Sequence, residues 1–152
     1  MSTFKKRKTA RKLSAKHLQA LEWANQPNVE AQAIAGLRAA QWLAHKTATD
    51  AGWYRNPNTG RKVKRNFGEV IALMHSELSE ALEADRKNLM DGHLPHRKGI
   101  EVEFADLLIR VLDTCGALGL DVAGALVEKN RYNQSRSDHK LANRKRAGGK
   151  RY

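Results

Sequence analysis

Apolar residues in this chain recur at three- and four-residue spacing in one segment after another, and nowhere do they alternate over any length. That periodicity belongs to amphipathic helices and leaves no place for a half-buried sheet. Caps and breakers divide the pattern into pieces. A short helix is predicted over Leu13 to Ala24, stopped by "NQPN", where Pro27 cannot continue it. A longer one is predicted from Val29 to Thr47, with Ile34, Leu37, Trp42 and Leu43 at helical spacing. "DAGWYRNPNTGRKVKRN" follows as a loop, with Tyr54 and Val63 on the arms of a small hairpin. Further helices are predicted over Phe67 to Arg86 and over Ile100 to Leu118, the second closed by Gly119 in a C-cap position. Asp121 is placed to N-cap another, which ends near Ser135. The expected fold class is all-α, a bundle of four to five helices, with Trp23 and Trp42 in its core.

The chain has 152 residues, enough for one domain with a buried core. Its formal net charge is +12, and the excess sits at the ends: "MSTFKKRKTARKLSAKH" opens the chain without an acid and "HKLANRKRAGGKRY" closes it likewise. Residues 1–28 are thus expected to be a basic extension carrying the short helix, 29–140 the helical domain, and 141–152 a basic tail. Such ends suit contact with nucleic acid or steering of anionic ligands. The opening run also has the composition of an organellar transit peptide, although it lacks an amphipathic period. No run approaches the roughly 18 apolar residues of a membrane span, so no membrane association is expected. Cys115 is the single cysteine, which excludes an intrachain disulfide and suits a reducing, cytoplasmic setting. It is expected to be a buried small hydrophobe.

Against this basic background the acids of "GEVIALMHSELSEALEAD" stand out. Around a helix axis, Val70, Met74, Leu78 and Ala81 share one side, bordered by Leu73 and Ala84. Glu77 lies inside that apolar arc and Glu80 at its edge, whereas Glu69, Glu83 and Asp85 are expected to face water. A carboxylate on the buried side needs a proton, a cation or a metal, so either Glu77 snorkels out to water or pairs with a buried Arg, or it serves a site. The next helix, "GIEVEFADLLIRVLD", is apolar around most of its circumference, its strongest stripe being Ile100, Phe104, Leu107, Leu108 and Val111. Glu103 and Asp106 are three apart on a stripe continued by Arg110 and Asp113. Two consecutive helices with carboxylates at i and i+3 can bring four of them together, and an all-oxygen set favours Mg²⁺ or Mn²⁺. No histidine follows a glutamate by three residues, which removes the usual di-iron pattern. His93 and His96 share a Pro-containing loop without a cysteine, a poor start for zinc.

Glu77-x-x-Glu80 followed by Glu103-x-x-Asp106 resembles the ExxE…ExxD signature of the MazG-like all-α nucleoside triphosphate pyrophosphohydrolases. The likeness runs from about Leu43 to the C-terminus, through "RNFGEVIALMHSELSEALEADRKN", "IEVEFADLLIRVLDTCGALGLD" and "EKNRYNQSRSDHK". It implies hydrolysis of a (deoxy)nucleoside triphosphate between the α and β phosphates. Glu77, Glu80, Glu103 and Asp106 would hold Mg²⁺, with Mn²⁺ as substitute, and Glu80 would also take the proton from the attacking water. The same resemblance gives Lys129, Asn133 and Arg136 to the phosphates, and Trp53 and Asn66 to the base and sugar. It also implies a homo-oligomer, dimer or tetramer, in which a neighbouring subunit completes the site. The loop "KNLMDGHLPHRKG" is longer and more polar than in compact members of the family. The competing expectation is a basic, helical nucleic-acid-binding protein without catalytic activity, motivated by the two ends.

Overall fold

The computed structural model describes residues 28–150. The helix predicted over Leu13 to Ala24, Trp23 and the basic opening run lie outside the described residues. Helix α1 spans Val29–Asp50, α2 Phe67–Lys87, α3 Gly99–Leu118 and α4 Val122–Ser135. A 3₁₀ turn, Ser137–His139, and a short helix α5, Leu141–Arg144, follow. No β-strand forms among the described residues, so the domain is an all-α bundle. The expected hairpin exists as one antiparallel bridge, Arg55 with Lys62, flanked by the Val63 N–H donating to the Tyr54 carbonyl at 3.0 Å. No helix among the described residues is long and apolar enough to cross a membrane.

The boundaries follow from local chemistry. Asn66 caps α2, its Oδ1 accepting from the Gly68 N–H at 2.8 Å and from the Glu69 N–H. Arg86 and Lys87 occupy the last turn of α2, where the dipole favours cations. Gly119 ends α3 at φ 67°, a left-handed position that costs glycine little. Asp121 caps α4 by accepting from the Gly124 N–H at 3.2 Å. Helix α1 runs past its predicted end at Thr47 because "TATD" holds no breaker. It stops only before Gly52, at φ 85°.

Helix α3 packs against both α1 and α2, while α4 packs on α1. The buried residues are mostly small: Ala44, Ala81, Ala84, Gly99, Cys115 and Ala123, joined by Val70, Leu112 and Val127. Close helix approach needs such residues, and Gly116 shows the limit. A Cβ there would stand 2.6 Å from the His45 Cβ and 2.8 Å from its Cγ. Gly116→Ala is therefore expected to destabilise the fold by about 1–3 kcal/mol through overpacking. Urea unfolding measures it, and a wild-type midpoint would show that α1 and α3 can part without cost.

A thin core corrects several expectations about side chains. Trp42 is 64% exposed rather than buried. On α2 the covered stripe is Val70, Glu77, Ala81 and Ala84, whereas Leu73 and Leu78 are exposed. On α3, Phe104 and Leu108 are exposed, and the buried positions are Gly99, Leu112, Asp113 and Cys115. The cause is coverage. Helix α2 packs chiefly on α3, so only one narrow face of it is sealed and its flanking leucines stay in water. Cys115 is buried, as expected, and burial raises its thiol pKa.

Candidate metal centre

Glu77 lies on that sealed stripe of α2, 5% exposed. Glu80 sits one turn on, at the exposed edge, and Glu103 comes across from α3, half-buried. One carboxylate oxygen from each of the three falls within 4.8 Å of the others. Ligand oxygens about 2.1–2.6 Å from a common centre span that range, and a set made only of carboxylates suits a hard cation. The three carboxylates can therefore hold a metal ion.

The electrostatics show how strongly these groups feel one another. Burial, and then the charges of Glu80, Glu77 and Asp106, push the Glu103 carboxyl above the ordinary glutamate range. Asp106 is raised by burial and by Glu77, with Arg110 pulling it the other way. Asp91, from the loop between α2 and α3, adds to that rise. Asp106 thus feels the charge of Glu77 without belonging to the close triad. Arg110 meets Glu77 directly, its Nε donating to Oε1 at 2.6 Å. The pairing with an arginine, one of the outcomes open for Glu77, is present, and the carboxylate cluster is present beside it. Glu69, Glu83 and Asp85 are exposed as expected, and Glu83 pairs with Lys87.

The three residues assigned to phosphate are placed elsewhere. Helix α4 packs on α1, and Lys129, Asn133 and Arg136 pair with none of the four carboxylates. The Lys129 Nζ lies 4.7 Å over the Tyr132 ring. Arg136 forks onto Asp138 at 2.9 and 2.6 Å, which holds the Asp138 carboxyl below its usual range. Asn133 keeps a buried Oδ1 without a hydrogen-bond partner among the described residues. Trp53 is 66% exposed with Arg65 5.9 Å from its ring, and the Asn66 side chain is engaged as the α2 cap.

A second cluster has no counterpart among the candidate residues. Asp113 on α3, 4% exposed, accepts from Tyr54 Oη at 2.7 Å and from Arg65 Nη1 at 3.5 Å, and its Oδ1 lies 2.9 Å from His45 Nδ1. The His45 and Tyr54 rings meet edge to face at 5.1 Å. Burial, and then the bond to Asp113, push the Tyr54 hydroxyl up to about 12. His45, Tyr54 and Arg65 border a cavity of about 430 Å³ whose wall also includes Arg55, Lys62, Lys64, Phe67 and Val70. Val70 stands two helical turns before Glu77, about 10 Å along the axis. The only sequence signal was Asp113 on the stripe of Glu103 and Asp106; its partners come from distant segments.

No protein-family profile, no curated protein and no solved structure matches this chain.

Proposed function

We propose that this chain is a divalent-cation-dependent nucleoside triphosphate pyrophosphohydrolase of the MazG-like type, acting in the cytoplasm. The observation that carries the reading is the convergence of Glu77, Glu80 and Glu103 at the α2–α3 contact, with Asp106 coupled to them. Mg²⁺ or Mn²⁺ bound there would neutralise triphosphate charge and acidify a water molecule. Glu77 and Glu103 would serve as ligands from the covered side. Glu80, exposed and without an ion pair among the described residues, would accept the proton of the attacking water. Water adds at the α phosphorus, the bond from that phosphorus to the bridging oxygen breaks, and pyrophosphate leaves with that oxygen.

The cavity lined by Arg55, Lys62, Lys64 and Arg65 supports the same reading, since it offers cations and apolar surface two turns from the carboxylates. Trp53 and Asn66 remain assigned to the base and sugar. Lys129, Asn133 and Arg136 would reach the phosphates from a second copy of the chain, and the exposed Leu73, Leu78, Phe104 and Leu108 supply apolar surface for such an assembly. The test is a pyrophosphate-release screen over canonical and modified nucleoside triphosphates with Mg²⁺ and Mn²⁺. Release of pyrophosphate and nucleoside monophosphate is expected from at least one of them. A folded, metal-supplied protein inert toward the whole panel overturns the proposal. The nucleic-acid alternative draws on the exposed Lys140, Arg144, Lys145 and Arg146, and it predicts nucleic-acid binding that weakens steeply with salt.

A further inference from the structure

Three carboxylates that meet at one helix contact, with Asp106 beside them, repel one another, and among the described residues a single side-chain cation answers that repulsion. Arg110 stands one turn beyond Asp106 on α3 and donates Nε to Glu77 Oε1 at 2.6 Å. Among the described residues no other Lys, Arg or His pairs with Glu77, Glu80, Glu103 or Asp106. Arg110 therefore occupies, at Glu77, the electrostatic role that a divalent ion would fill.

We propose that Arg110 is an internal counter-cation that competes with the divalent metal for Glu77. It keeps the carboxylates together when no metal is bound, and it lowers the affinity of the centre once metal arrives. The inference rests on the metal-centre reading above. An arginine stays charged at every physiological pH, so the competition is not relieved by deprotonation. Only a gain of negative charge offsets it, and a triphosphate brings that charge together with further oxygen ligands. Mg²⁺ is commonly bound by one or two carboxylates plus substrate phosphates. The consequence is a centre that takes its metal weakly alone and more tightly with a polyphosphate.

The experiment compares full-length wild type, Arg110→Lys and Arg110→Met after EDTA treatment. Mn²⁺ binding is followed by calorimetry and thermal unfolding at pH 8. Arg110→Met is expected to melt below wild type without metal, to bind Mn²⁺ about tenfold more tightly, and to gain more melting temperature from Mn²⁺ than wild type does. Arg110→Lys, which keeps the charge, is expected to return the affinity toward wild type. If Arg110→Met folds only with metal, that supports the proposal, and Arg110→Gln, neutral but still a hydrogen-bond donor, carries the affinity comparison. Weaker Mn²⁺ binding by the neutral variants would mean that Arg110 positions Glu77 as a ligand, and unchanged binding would mean that it does neither; both overturn the proposal. Wild type that binds neither Mn²⁺ nor Mg²⁺ removes the metal centre itself, a result distinct from these two.

Discussion

Replacing Glu80 by glutamine is expected to lower Mg²⁺-supported pyrophosphate release about a thousandfold while leaving the fold intact. The expectation comes from where Glu80 stands. It is exposed, it takes part in no ion pair among the described residues, and it shares the 4.8 Å triad with Glu77 and Glu103. Glutamine has the same shape, so packing is not disturbed, and exposed substitutions of this kind usually move stability by less than about 0.5 kcal/mol. What changes is chemistry: one anionic ligand becomes a weaker neutral one, and the group proposed to accept the proton of water can no longer do so. Glu77 is a less clean target, because removing it also strands Arg110. Steady-state pyrophosphate release beside a urea unfolding curve separates the two effects. Near-wild-type turnover in Glu80→Gln would show that Glu80 neither holds the metal nor takes the proton.

The helices were legible because their ends are written locally. The Asn66, Asp121 and Gly119 caps each act within a few residues, so the predicted boundaries fall within a few positions of those seen. The meeting of Glu77, Glu80 and Glu103 was legible for a related reason: i and i+3 acids on consecutive helices have few other ways to be buried. Exposure of Trp42 and Phe104 was not legible. Periodicity shows which face of a helix is apolar, and the number of neighbours covering it depends on tertiary packing. The 3₁₀ turn and α5 are too short for periodicity to mark. Arg110 could be foreseen as some partner for Glu77, but its place beside the carboxylate triad belongs to the packed helices.

Asp113→Ala is expected to be the most destabilising single change in the domain, by about 3–5 kcal/mol, enough to leave much of the chain unfolded at growth temperatures. Asp113 stood outside the candidate residues because its partners are 48 to 68 positions away. Its carboxylate gathers Tyr54, Arg65 and His45, and so ties α1, the segment between α1 and α2, and α3 together at one buried point. Truncation leaves a partly buried phenol and a partly buried guanidinium without their acceptor, and unmet groups of that kind cost more than the bond itself gains. Asp113→Asn keeps an acceptor for Tyr54 and Arg65, so it should cost roughly half as much, and that difference isolates the charge from the hydrogen bonds. Chemical unfolding of both variants reads the two values. Hydrogen exchange across residues 51–66 shows whether the segment opens first; an Asp113→Ala protein within about 1 kcal/mol of wild type, with that segment still protected, would mean the cluster is not what anchors it.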